Sequence, residues 1–297
     1  MPTSVSFRLL KIVTPSFSSS SSSSPFSVCR RIRSTLGAPR VFSPVAPSPF
    51  RSAVHALSSA SAMGDVAGDA SMDEVQRRLM FEDECILVDE TDRVVGHDSK
   101  YNCHLNSKIE SDNLLHRAFS VFMFNSKYEL LLQQRSPEKV TFPLVWTNTC
   151  CSHPLYRESE LIEEEALGAR VAAQRKLFDE LGIPAEDIPV DDFVPVGRIL
   201  YKAPSSGKWG EHELDYLLFI VRDVNVNPNP NEVKETKYVN RKQMQELVSK
   251  VDAGDEGLKL SPWFRLIVDN FLYKWWDNVE NGTLREVADM DPIHRLT

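Results

Sequence analysis

The run RAFSVFMFN (117–125) is the feature that most narrows the fold. Aromatic and apolar residues crowd it, which suits a buried pleated strand. NSKYE then turns the chain into ELLLQQR (129–135), so the pair reads as a hairpin. ECILVDE (84–90) and VVGHD, joined by ETDR, read as another hairpin. LVWTNTC and the segments 193–202 and 213–222 add further strands, while 99–116 is polar and irregular. The longest helical pattern is SELIEEEALGARVAAQRKLFDELG (159–182), with Ala166, Ala169, Ala173 and Leu177 on its apolar side and Gly182 as its stop. Helices are also expected from about Met72–Asp73, at 240–251 and at 262–279. The fold class is therefore α/β (α+β), a mixed β-sheet sandwiched between helices.

The first 64 residues stand apart. They contain no Asp or Glu, carry seven Lys or Arg, and are about a quarter Ser, including the unbroken run Ser18 to Ser24. That composition is typical of an organelle transit peptide, for chloroplast or mitochondrion; the alternative is a plain disordered tail. A single catalytic domain is expected over 65–297. Met63 offers a start for a shorter cytosolic or peroxisomal form, and the tail HRLT resembles a peroxisomal tripeptide shifted by one residue. The whole chain has a net charge of −8, so removing the leader's seven positive charges leaves about −15. An acidic chain argues against nucleic acid as a partner. No run of 18 apolar residues occurs, so no membrane span is expected. The remaining residues suit one large domain, expected as a monomer. The five cysteines show no CxxC, which reads as free thiols in a reducing compartment.

Several constellations carry chemistry. If the strand LVWTNTC runs on to His153, alternation puts Cys151 and His153 on one face and Cys150 with Ser152 on the other. Cys151 then shares a pocket with an imidazole, and Cys150 packs as a small hydrophobe; the alternative is that both thiols are core. Glu211 and Glu213, at i and i+2 on a strand, project to one side. Carboxylates that close repel unless a cation sits between them, although a solvated pair at a strand start is the plainer reading. With His104, His116 and His153 they offer three nitrogens and two oxygens. Five donors exceed a tetrahedral zinc site. Octahedral Mn2+ or Mg2+ fits that count better, with Zn2+ a further candidate on donor type. Lys100, Arg135 and Lys139 near the thiol segment are either ordinary surface residues or a set that neutralises a diphosphate. Trp263, just inside a helix start behind Pro262, is either core or an aromatic face for a cation.

The helix end RKLFDELGI (175–183) resembles the close of a Nudix box, with Arg175, Glu180 and Gly182 in place and Asp179 where the box has its second glutamate. Lys176 stands where the box has its first glutamate, and Leu167 stands where an upstream glutamate belongs. Together, TNTCCSHP, WGEHELDY, this degenerate box and SPWF resemble type I isopentenyl diphosphate:dimethylallyl diphosphate isomerases of the Nudix superfamily, over about residues 75–295. The leader resembles that of the plant, organelle-targeted form.

The resemblance implies that Cys151 is the catalytic cysteine and Glu213 both catalytic glutamate and metal ligand. His104, His116, His153, Glu211 and Glu213 would hold one divalent metal. Glu180 would bind a second Mg2+ shared with the diphosphate of a prenyl substrate. Lys100, Arg135 and Lys139 match diphosphate contacts, and Lys176 stands in for an arginine, without its bidentate geometry. Tyr201 matches a tyrosine bonded to the glutamate, and Trp263 an aromatic over the reacting carbons. The implied chemistry protonates an alkene and removes a neighbouring proton, through a tertiary carbocation that water must not reach. Glu213 with Tyr201 is the expected protonating side, and Cys151 exchanges the other proton. A Nudix hydrolase acting on a diphosphate, or a non-catalytic metal-stabilised module, are the competing readings.

Overall fold

A computed structural model describes residues 72–255 and 257–296. The leader expected over 1–64 lies outside them. The described chain starts with α1 (Glu74–Glu82), capped by Asp73, whose side chain accepts from the Val75 and Gln76 amides. Strands β1 (Glu84–Val88) and β2 (Val94–Ser99) form the first expected hairpin. The segment read as irregular holds two short helices, α2 (Lys100–Cys103) and α3 (Asn106–Ser111).

The second expected hairpin closes only at its turn. β3 (His116–Phe124) and β4 (Leu130–Arg135) pair at Phe124 and Leu130 alone. Beyond that point they part. β3 runs parallel to β8 (Gly210–Val221), while β4 pairs with β9 (Val233–Val239) and with β5 (Trp146–Thr147). The expected strand through LVWTNTC is likewise broken: β5 stops at Thr147 and β6 covers Cys150–Ser152. Asn148 makes the break, its amide donating to the carbonyls of Val121 and Cys150 at 3.1 and 2.9 Å.

The long helix begins later than its pattern suggests, at α4 (Leu167–Leu181), after a 3-10 turn at Glu164–Ala166. Glu165 and Ala166 take left-handed backbone, at φ 48° and 56°. Residues 159–163 fold over the first turn of the helix instead of extending it. A Cβ on Gly168 would lie 2.2 Å from the Glu160 carbonyl oxygen, so only glycine admits that crossing. Gly182 ends the helix at φ 64°, its amide donating to Phe178.

Strand β7 (Val194–Pro204) pairs antiparallel with β8, which begins three residues earlier than expected. α5 (Arg241–Asp252) carries a capping box at Asn240 and Gln243. The expected helix at 262–279 is α6 (Pro262–Ile267), a π turn over 268–272 and α7 (Tyr273–Asn281). A short α8 (Leu284–Val287) and β10 (Ile293–Arg295), parallel to β7, complete the described chain.

The main path of the sheet runs β10-β7-β8-β3-β1-β2. Alternation along β3 sends Phe122 and Phe124 to one face and Phe119, Val121 and Met123 to the other. The first face is covered by α5, α6, the π turn and α7 through Met244, Phe264, Leu272 and Trp276. The second is covered by α4 through Ala169, Ala173 and Leu177. The expected sandwich of a mixed sheet between helices is what forms.

Candidate metal centre and active site

Strand register assembles the site. On β8, Glu213 is paired across to Tyr201 of β7 on one side and His116 of β3 on the other. Glu211, two residues earlier, shares the face. His153 leaves β6 toward them, its Nε2 2.8 Å from Glu213 Oε1, and His116 Nε2 lies 3.4 Å from the same oxygen. His104 ends α2 with Nε2 2.9 Å from Glu211 Oε2. Its Nδ1 donates to the Lys100 carbonyl at 2.6 Å, a contact that turns Nε2 toward the cluster. The ligand atoms of all five buried side chains lie within 4.8 Å of one another.

Both ring nitrogens of His116 and Oε2 of Glu211 are buried without a hydrogen-bond partner. Orphaned buried groups are costly, and nitrogen and oxygen donors converging in this way suit a divalent cation. Burial and the neighbouring His116 and His104 push His153 well below the usual imidazole range.

Tyr201 donates its hydroxyl to Glu213 Oε2. Burial raises the tyrosine far above its ordinary range, and the Glu213 charge adds to that. Burial also pushes Glu213 up, but the His116 imidazole close beside it, with the Tyr201 hydroxyl, leaves its carboxyl lower than usual.

Cys151 pairs across β3 at Ser120, and its Sγ lies 3.9 Å from Arg135 Nη1. Burial pushes this thiol up to about 12, although Arg135 opposes the shift. Cys150 is fully buried, as expected, yet its thiol also donates to Glu180 Oε2 at 3.5 Å.

Cys151, Glu213, Trp263, Lys100, Arg135 and Lys139 line one cavity of about 30 Å3. Arg135 holds the wall: it donates to the carbonyls of Thr141 and Phe142 at 2.9 and 3.0 Å, with its guanidinium carbon 5.6 Å from the Trp263 ring centroid. Trp263 Nε1 donates to Asn148 Oδ1 at 3.1 Å, which ties the indole to the break before the thiol strand. Lys176 and Glu180 do not line that cavity. They lie on α4, Lys176 Nζ 3.4 Å from Glu180 Oε1, with Gln133 donating to Glu180 Oε2 at 3.1 Å. Arg175 is likewise engaged, by Glu160 at 2.8 Å, so the box helix presents ion pairs rather than a ring of free acids.

Some side chains at the site escaped the sequence reading. Asp215 continues the i, i+2 spacing of Glu211 and Glu213 onto the same face, a signal that was there to be read. It is buried and accepts from Ser120 at 2.8 Å. Asn148 adjoins the cysteines in sequence. Gln76 and Met80 of α1 also line the cavity, and no local pattern marks them.

A NUDIX domain model matches residues 114–264. The chain is 80% identical over 234 residues to isopentenyl-diphosphate Delta-isomerase I of Camptotheca acuminata, covering 79% of this chain and all of that one. It is 76% identical over 259 residues to the chloroplastic isopentenyl-diphosphate Delta-isomerase 1 of Cannabis sativa, covering 87% and 88% of the two chains. A solved structure from Deinococcus radiodurans aligns at a TM-score of 0.43 and 19% identity, over 64% of this chain and 99% of that one. On the domain match and these relatives, the chain belongs to the isopentenyl-diphosphate Delta-isomerase family of NUDIX-domain proteins.

Proposed function

We propose that this protein interconverts isopentenyl and dimethylallyl diphosphate, with the proton-moving groups facing each other across the cavity. The observation that carries the reading is that Cys151 and Glu213 line the same cavity with Trp263. Moving a double bond needs one proton delivered and another removed at nearby carbons, out of reach of water. Glu213 delivers the first proton, drawn through the hydrogen bond that the Tyr201 hydroxyl donates to it. Cys151 takes the second as the thiolate and is left as the thiol, the Arg135 guanidinium 3.9 Å from its sulfur opposing the burial that favours the neutral form. The indole of Trp263 offers a face to the positive charge between those events without a nucleophile to trap it.

Lys100, Arg135 and Lys139 receive the diphosphate, with Lys176 more remote on α4. His104, His116, His153, Glu211 and Glu213 would hold Mg2+, with Mn2+ or Zn2+ as alternatives, and that ion would fix the carboxylate and screen its charge. A second Mg2+, shared with the diphosphate, is assigned to Glu180. Residues 65–297 act as one catalytic unit and a monomer, following a transit peptide that directs the protein to the chloroplast, as the name of the Cannabis sativa relative suggests. Among the described residues no helix is long and apolar enough to cross a membrane.

The test is proton exchange in heavy water, with isopentenyl diphosphate and added divalent metal. Dimethylallyl product carrying deuterium, without free phosphate, is expected. Full turnover by Cys151→Ala sinks the assignment of the thiol, and released phosphate points to hydrolysis.

A further inference from the structure

The cavity is too small for a prenyl diphosphate as it stands; about 30 Å3 holds a water or two. Its basic wall is also engaged already. Lys139 Nζ lies 2.6 Å from Glu232 Oε2, with side chains only 9% and 3% exposed. The other carboxylate oxygen of Glu232 accepts from Gln76 Nε2 of α1 at 2.9 Å. Gln76 also donates to the Asn231 carbonyl at 3.1 Å, so the carboxylate and the helix over the cavity are fastened to one loop.

We propose that Glu232 is an internal stand-in for the diphosphate, holding Lys139 until the substrate enters and taking it back as the product leaves. This rests on the reading of Lys139 as a diphosphate contact. The physical argument is one of charge. A buried ammonium without a partner is strongly destabilising, and Lys100 and Arg135 nearby make it worse. Glu232 supplies the partner when no substrate does. A diphosphate carries more charge than one carboxylate and displaces it, but it must compete to do so. That competition weakens ground-state binding. Uniform binding of substrate and transition state gives no gain in kcat, so an enzyme loses little by it and releases its product sooner. Gln76 makes the device precise, because a carboxylate held at both oxygens returns to one position. It also couples substrate entry to α1, whose Met80 lines the same cavity.

The experiment measures the affinity of the full chain for inorganic diphosphate by calorimetry, together with steady-state kinetics. Glu232→Gln keeps the shape and an acceptor for Gln76 but removes the competing charge. It should bind diphosphate roughly tenfold tighter and lower KM by a similar factor, with kcat changed by less than about twofold. Gln76→Met loosens the carboxylate and should shift affinity in the same direction by less. Unchanged or weaker diphosphate binding in Glu232→Gln overturns the proposal. Should that variant fail to fold, absence of any tightening in Gln76→Met overturns it. Lys139→Gln separates the two levels. If it leaves diphosphate affinity untouched, the reading of Lys139 falls and the stand-in with it. If it weakens affinity while Glu232→Gln does not tighten it, the stand-in alone falls.

Discussion

Two buried polar clusters lie back to back on the same strands, and they are built on opposite rules. On the face toward Trp263, His116 and Glu213 gather with three other ligand groups, and three of their polar atoms have no hydrogen-bond partner. On the other face, the next residue of β3, Arg117, reaches Asp92 at 2.8 Å. Asp92 is also bound by Arg198 at 2.9 Å and by the Tyr216 hydroxyl, and Arg117 contacts Glu163 at 3.1 Å. Asp92 is the turn residue of the first hairpin, at φ 68°, so this cluster ties that turn to β3, β7 and β8. One cluster is a nearly closed network of opposite charges, with Arg198 Nε its one orphan. The other is a set of lone pairs aimed at one another. Buried polar groups that satisfy each other hold a fold together, whereas groups left wanting mark a place where something else binds.

The largest expected effect crosses that line. Glu213→Gln keeps volume and the bond from Tyr201 but removes the transferable proton and a ligand charge. Turnover should fall by roughly a thousandfold or more, as the loss of a general acid with its electrostatic partner costs. The melting temperature, compared in the presence of chelator, should move little. Near-normal turnover would show that the under-satisfied cluster is not where the chemistry lies.

Metal removal sharpens the same contrast through stability. A chelator should destabilise the protein by about 4 kcal/mol if the ion was held at a thousandfold over its Kd. Thermal melts with and without chelator measure this directly. The cluster of Asp92 contains no orphaned lone-pair set, so its contribution should be indifferent to chelator.

Asp92→Asn tests that other cluster. Arg117 and Arg198 would lose their shared charge partner inside the protein, at a cost of about 3 kcal/mol to unfolding in denaturant. Turnover per folded molecule should stay near that of the wild type. If instead kcat collapses while stability holds, the two faces are coupled and the division drawn between them is wrong.

How much of this was legible depended on whether a signal was local. The five candidate metal ligands, the thiol and Trp263 could be named because short motifs such as TNTCCSHP, WGEHELDY and SPWF carry a family resemblance, while residue type and spacing alone left plainer readings open. Glu232 could not, since its partners Lys139 and Gln76 lie 93 and 156 positions away. The strand signals at 117–125 and 129–135 were strong, but a sequence period does not say which neighbour a strand takes, so the hairpin read there opens after one pair. β9 was missed because VKETKYV is largely polar, as suits a strand paired only with β4 and otherwise at an edge. The helix pattern over 159–182 survived in sequence because Glu163, Glu164 and Glu165 are good helix formers, while the contact of Glu160 on Gly168 overrode them.

The smallest effect concerns how finely the functional face is set. Trp263 does two things: its ring faces the cavity, and its Nε1 is anchored on Asn148 at 3.1 Å. Trp263→Phe keeps an aromatic face but drops the anchor and the larger, stronger cation-binding surface of the indole. A cation–π contact in a desolvated site is worth up to about 2 kcal/mol, and a phenyl ring retains part of it. The expected loss is therefore about tenfold in kcat, with a smaller change in KM, since of the proposed diphosphate contacts Arg135 packs on the ring. Trp263→Leu removes the π face altogether and should fall well below the phenylalanine variant. If leucine and phenylalanine turn over equally, the ring acts by filling space and excluding water, and stabilisation of positive charge must come from the Glu213 and Glu211 carboxylates alone.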